Sequence, residues 1–88
     1  MYKVILSHQA VKSIKKLPKY VKERVLMVLK ELPHHPIPIF KYDVKKIKGE
    51  DYTYRIRLGK YRILYEIDEN AKEIHILGIS HRKRAYRK

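Results

Sequence analysis

Apolar and polar residues alternate through residues 52–58 and again through residues 61–67, with only Gly59 and Lys60 between the two runs. Alternation of period two on either side of a two-residue Gly-X break predicts a β-hairpin, and glycine at the first central position suits a type II′ turn. Such a turn fixes the register. Leu58 is then opposite Tyr61, Arg57 opposite Arg62, Ile56 opposite Ile63, Arg55 opposite Leu64 and Tyr54 opposite Tyr65. Tyr54, Ile56, Leu58, Tyr61, Ile63, Tyr65 and Ile67 share one apolar face, and Thr53, Arg55, Arg57, Arg62, Leu64 and Glu66 share the other. In this register Arg57 and Arg62 meet at a pair without mutual hydrogen bonds, where side chains come closest. Like charges directly opposite one another destabilise a hairpin. An anion between the two guanidiniums would be gripped by a preset fork. The plainer alternative is a solvated basic face, with Arg55 paired to Glu66 on the diagonal.

The remaining pattern supplies the rest of the fold. Residues 2–6 form a short apolar run that predicts a first strand, and Ser7 is placed to cap a helix over about residues 8–17. Val11, Ile14 and Leu17 lie on one side of that helix, and Lys12, Lys15 and Lys16 point elsewhere. Pro18 suits the first position of a second helix. Leu17, Val21, Val25, Val28, Leu29 and Leu32 give this helix a broad apolar stripe, and Pro33 stops it. Such a stripe is core packing, and it needs a sheet beneath it. Three prolines among residues 33–38 make a stiff, extended loop in which the neighbouring His34 and His35 read as surface residues. Residues 40–47 predict a second strand, residues 49–51 a turn, residues 68–73 a polar turn and residues 74–79 a last strand. The order β-α-α-β-β-β-β predicts an α+β fold. Its sheet would be twisted and mostly antiparallel, a two-helix hairpin would pack on one face, and a short basic C-terminal segment would follow. Length predicts one domain over residues 1–88.

Charge narrows the function. Lys and Arg number 22 against 9 Asp and Glu, a formal net charge of +13. A field of that sign favours a polyanionic partner. A membrane surface would call for a basic amphipathic helix with a bulky apolar face, and no segment reads that way. No run is apolar enough to span a bilayer and no cleavable leader opens the chain, so a cytoplasmic location is expected. The chain has no cysteine, which removes thiol nucleophiles and thiolate metal sites. No glycine-rich phosphate loop, Ser-His-Asp set or metal-ligand spacing is present, so no cofactor or metal is expected. The carboxylates near the polar turn, Glu66, Asp68, Glu69 and Glu73, read as solvated. Arg, Lys and Tyr remain, with a histidine near them. That inventory suits metal-independent RNA cleavage. A base takes the 2′-hydroxyl proton, an acid protonates the leaving 5′-oxygen, and cations hold the charge of the phosphorane.

Several stretches taken together resemble the RelE toxins of the RelE/ParE toxin–antitoxin superfamily, in particular its short archaeal-type members. They are the opening strand, the two-helix hairpin, Lys46-Ile-Lys-Gly49, the run from Tyr54 to Tyr65, and Ile79-Ser-His-Arg-Lys-Arg-Ala-Tyr-Arg87. The resemblance covers nearly the whole chain. It implies a toxin that enters the ribosomal A site and cuts the mRNA there by attack of the 2′-hydroxyl, so inhibiting translation. It also implies an acidic antitoxin that wraps and blocks the toxin. Its partners would thus be the antitoxin and the ribosome with its mRNA, with no membrane or small-molecule ligand.

Carried over by position, Arg55 and Arg57 match the paired basic residues of the first hairpin strand, and Arg62 matches the basic residue opposite. Arg82 matches the arginine after the last strand, and Tyr86 the terminal catalytic tyrosine. On this reading Arg57, Arg62 and Arg82 bind the scissile phosphate, Arg55 orients mRNA or moves a proton, and Tyr86 moves a proton or stacks on a base. His81, at a position often His or Lys in the family, is a further candidate. Lys45, Lys46, Lys48, Lys83 and Arg84 would bind ribosomal RNA backbone. Some relatives use a glutamate on the strand before the hairpin as general base. Residues 41–48 offer only Asp43, so that role is not carried over. Two other readings stay open: a ParE-like inhibitor of DNA gyrase and a non-catalytic nucleic-acid-binding module.

Overall fold

In the computed structural model, which describes residues 1–81, the chain runs β1 (Lys3–Leu6), α1 (His8–Lys15), α2 (Lys19–Glu31), β2 (Asp43–Lys46), β3 (Thr53–Leu58), β4 (Tyr61–Asp68) and β5 (Glu73–His81). The strands form one sheet in the order β1-β5-β4-β3-β2. From β2 to β5 the chain is an antiparallel meander, and β1 returns to lie parallel beside β5, with Lys3 level with Glu73 and Leu6 with Ile76. This is the α+β arrangement the sequence predicts.

Each boundary has a local cause. The Ser7 hydroxyl accepts the Ala10 N–H at 3.0 Å and donates to the Leu77 carbonyl at 2.9 Å, so one side chain both caps α1 and ties it to β5. α1 ends two residues before the predicted Leu17. Lys16 and Leu17 make tightened bonds to the Ser13 and Ile14 carbonyls, because the residue before a proline is kept out of helical geometry. Pro18 is the N-cap of α2 and not its first helical residue. Its carbonyl accepts the Lys22 N–H at 2.9 Å and so starts the helix. α1 lies against β5 and β1, and α2 lies against β3.

The predicted strand over residues 40–47 begins three residues later. The Pro38 carbonyl accepts the N–H groups of both Lys41 and Tyr42, which closes a turn there and leaves Ile39 and Phe40 exposed. Pro38 itself is fully buried, and the Tyr65 hydroxyl donates to the Pro36 carbonyl at 2.7 Å, so the proline loop is fastened to the core. His35 is paired with Glu31 at the end of α2, and that hydrogen bond, followed by those from Lys41, holds the Glu31 carboxyl below its ordinary range.

The core sits between helices and sheet. Val21, Val25, Val28 and Leu32 of the α2 stripe and Ala10 of α1 close over Ile56, Leu58, Ile63, Tyr65, Ile67, Ile74, Ile76 and Ile79. Burying such aliphatic side chains stabilises the fold by about 1.5–3 kcal/mol each relative to exposure. Among the described residues no helix packs on the opposite face of the sheet.

Candidate functional site: the helix-free face of the sheet

The β3–β4 hairpin takes the register expected from its turn: Leu58 with Tyr61, Arg57 with Arg62, Ile56 with Ile63, Arg55 with Leu64, Tyr54 with Tyr65. Gly59 has φ +60° while Lys60 stays at negative φ, the combination a type II′ turn requires. Neighbouring ladders extend this register across the sheet. Asp43 of β2 is paired with Arg57, Arg57 with Arg62, and Arg62 with Ser80 of β5. One row across four strands on the helix-free face therefore reads Asp43–Arg57–Arg62–Ser80. The next row reads Lys45–Arg55–Leu64–Gly78.

Asp43 organises the two arginines of β3. Arg55 Nη1 donates to the Asp43 backbone carbonyl at 3.1 Å and forms an ion pair with Asp43 Oδ1 at 3.2 Å, and Arg57 Nε lies 3.7 Å from Asp43 Oδ2. The two guanidiniums differ in setting. The Arg55 side chain is 11% exposed and the Arg57 side chain 43% exposed. The plainer alternative paired Arg55 with Glu66 on the diagonal. Glu66 does stand opposite Thr53, as the register requires, but Asp43 of β2 supplies the carboxylate that Arg55 pairs with. The sequence offered no way to see this, because the connection over residues 47–52 is too long to set the β2–β3 register. Asp43 and Ser80 are thus the residues of this face that sequence reasoning did not place.

The other candidates divide. Lys45 lies on the same face, in the Arg55 row. Lys46 pairs with Tyr54 and so belongs to the other side of the sheet, at its edge, and Lys48 follows β2 in the turn before Gly49. His81 pairs with Tyr61, its ring edge-on to the tyrosine at a centroid distance of 5.2 Å, on the helix-bearing side. It does not join the arginine row. Arg82, Lys83, Arg84 and Tyr86 lie outside the described residues.

At the far end of the helix-free face, acidic groups replace basic ones. Asp68 pairs with Glu73, and Glu66 with His75. Ligand atoms of Asp68, Glu73 and His75 lie within 4.8 Å of one another, the one group among the described residues with the spacing to approach a metal ion. Asp68 Oδ1 already accepts the Ala71 N–H at 3.1 Å, and His75 Nε2 meets Glu73 Oε1 at 3.0 Å. Cross-strand pairing and a turn cap account for the cluster.

A concavity of about 740 Å³ opens beside the end of β5, lined by Lys12, Lys16, Tyr61, Ser80 and His81 among others. The row Asp43–Arg57–Arg62–Ser80 runs across four strands of the twisted sheet. No helix among the described residues is long and apolar enough to cross a membrane.

Residues 4–86 match the family described as the ParE toxin of the type II toxin–antitoxin system parDE. The toxin RelE3 of Methanocaldococcus jannaschii is 35% identical over 85 residues, covering 96% of this chain and 94% of the relative. Among solved structures, the archaeal RelE–RelB complex from Pyrococcus horikoshii OT3 superposes with a TM-score of 0.84 at 38% identity, over 94% of this chain and 97% of that one. The RelB–RelE antitoxin–toxin complex from Methanococcus jannaschii gives 0.80 at 32% identity, over 93% and 94%. Sequence and fold agree over nearly the full length of each relative, and the chain belongs to the RelE/ParE family of type II toxin–antitoxin toxins, among its RelE members.

Proposed function

We propose that this toxin is a metal-independent endoribonuclease that enters the ribosomal A site and cuts the mRNA held there. The observation that carries the reading is the Arg57–Arg62 rung on the sheet face away from the helices, with Arg55 anchored beside it. Two guanidiniums on adjacent strands present N–H groups to one phosphate, the arrangement that holds a phosphodiester and then the extra negative charge of its transition state. In the step itself the 2′-oxygen attacks the adjacent phosphorus as its proton leaves to a base. The bond from phosphorus to the 5′-oxygen breaks as that oxygen takes a proton. The products are a 2′,3′-cyclic phosphate and a 5′-hydroxyl. Neither metal nor redox cofactor takes part in that balance.

Arg57 and Arg62 bind the scissile phosphate, joined by Arg82. Arg55 orients the message, and Tyr86 moves a proton or stacks on a base. These roles for Arg82 and Tyr86 rest on the match to the RelE sequence pattern. His81 serves as a proton carrier only if the substrate reaches around the end of β5, since its ring stands on the far side of the sheet from the arginine row. Tyr65 takes no part: it is buried, and burial, then the neighbouring Tyr54, raises its phenol above the ordinary value. Lys45, Lys46, Lys48, Lys83 and Arg84 bind ribosomal RNA backbone.

The relatives crystallised with RelB support an antitoxin partner for this chain too. With a net charge of +13 on the toxin, that partner is acidic and covers the basic face. The match to a family described by its ParE toxin keeps one other target in play, DNA gyrase.

Primer extension on a reporter mRNA translated in a cell-free system tests the reading. Cuts within codons that disappear when translation is blocked are expected. Intact mRNA together with lost gyrase supercoiling would move the target to gyrase.

A further inference from the structure

One carboxylate serves two arginines in the basic site, and it serves them unequally. Asp43 holds the nearly buried Arg55 through two contacts, Oδ1 at 3.2 Å and the backbone carbonyl at 3.1 Å. It touches the more exposed Arg57 through a single, longer approach of 3.7 Å to Nε. It occupies this place by register, as the β2 member of the row that continues through Arg57 to Arg62. On the helix-free side of a chain with a large positive charge, this carboxylate lies against Arg57, where an incoming phosphate must also lie.

We infer that Asp43 is a positioning residue with two separate tasks: it anchors Arg55 permanently, and it holds Arg57 as an exchangeable partner that an RNA phosphate displaces. The inference rests on the reading of this face as a phosphate site. The physical argument is one of competition. A guanidinium paired to a carboxylate and a guanidinium paired to a phosphate use the same forked donors. Arg55 is bound through a backbone carbonyl as well and is shielded from water, so it stays in place. Arg57, far more exposed than Arg55 and held at long range, changes partner at little cost, since exposed ion pairs are weak. Asp43 then repels the phosphate that has taken its place. It thereby lowers the affinity of the face for polyanions in general, and only an RNA fixed by further contacts recovers the difference.

The test uses the full chain and a fluorescent single-stranded RNA with 2′-O-methyl riboses, which has no free 2′-hydroxyl to attack. Anisotropy is followed over a range of KCl concentrations. Asp43→Asn removes the charge but keeps an oxygen, and the backbone carbonyl under Arg55 remains. It should bind about fivefold more tightly, the effect of a unit charge about 4 Å away in water-like surroundings. Its log–log salt dependence should steepen by about 0.7, the value for one further contact to a single-stranded phosphate. Asp43→Glu, which keeps the charge, should bind as the wild type does. The gain from Asp43→Asn should shrink in an Arg57→Ala background. An equal gain in both backgrounds, or no gain in either, would overturn the exchange.

A second measurement needs no variant. On titration with the same RNA, the Arg57 Nε–H resonance of the wild type should move much further than that of Arg55, which keeps its Asp43 partner. If both move equally, or Arg57 does not move, the division of labour is wrong. Cleavage enters neither readout. A protein that binds in this way yet cuts no message would overturn the nuclease reading and leave the exchange standing.

Discussion

Arg57 on β3 stands directly opposite Arg62 on β4, one rung from the Gly59–Lys60 turn, and Asp43 flanks the pair on the β2 side only. Opposed like charges do not stabilise a hairpin, and an anion held between them does. Arg57→Ala should therefore abolish mRNA cutting in the cell-free assay. It should leave the urea midpoint close to wild type, within about 0.5 kcal/mol of stability, because the side chain is partly exposed and its ion pair with Asp43 is long. Wild-type cutting by this variant would take the fork out of the site.

Arg55 should behave differently, although the sequence presents it as an equal of Arg57. Its guanidinium is nearly buried, hydrogen-bonded to the backbone carbonyl of Asp43 and ion-paired with its carboxylate. Arg55→Ala removes these contacts and leaves the Asp43 carbonyl to find another donor. The expected loss is about 1–2 kcal/mol of stability, discounted because the Asp43 side chain is itself half exposed. Activity should fall with it. Denaturant unfolding of the two alanine variants side by side decides the matter, and equal stabilities would mean that burial has been given too much weight.

How far the sequence carries can be judged strand by strand. The β3–β4 register follows from a two-residue turn, so Arg57 and Arg62 could be set opposite one another before any coordinates. The β2–β3 register follows from no turn of comparable tightness, and Asp43 could not be seen to reach Arg55. His81 illustrates the third case. Unbroken alternation from Ile74 would put His75 and His81 on one face. β5 instead pairs Gly78 with Leu64 and Ile76 with Tyr65, which leaves Leu77 as an extra residue. That bulge reverses the parity, brings Ile79 into the core and turns His81 toward Tyr61 and the helix-bearing side. A bulge has no reliable mark in a single sequence. The prolines of residues 33–38 marked a loop, but its backbone turns where extended chain was expected: the Glu31 carbonyl accepts the His34 and His35 N–H groups, and the Pro38 carbonyl closes the turn that delays β2.

Gly59 links the site to the backbone that sets it. Its φ of +60° is a conformation L side chains rarely adopt, although an added Cβ would meet no atom within 4 Å. Gly59→Ala therefore costs backbone strain alone, about 1 kcal/mol or somewhat more. The urea midpoint should fall with an unchanged slope. If the turn relaxes to another type, the arginine rung shifts and cutting falls further than stability alone explains. A variant as stable as wild type would mean that the turn reaches a different geometry at no cost.

Tyr65 provides a pH signature of the core. Its hydroxyl donates to the Pro36 carbonyl at 2.7 Å, and burial first, then the charge of Tyr54, raises its pKa above the ordinary value of 10.0. A folded-state pKa above the unfolded value means that the folded chain keeps a proton the unfolded chain has lost. The stabilisation is complete below about pH 10 and declines above it, by up to about 1.4 kcal/mol per pH unit from this one group. Tyr65→Phe cannot titrate, and it leaves the Pro36 carbonyl without its donor. It should be less stable than wild type by about 1 kcal/mol at neutral pH. As pH rises past 10 the wild type loses this stabilisation and the variant does not, so the gap between them should narrow and then reverse. Urea midpoints of both proteins at about pH 8 and about pH 11 measure it directly. A gap that stays constant would show that Tyr65 ionises in the folded chain as readily as in the unfolded one, and that the Pro36 loop opens before the core does.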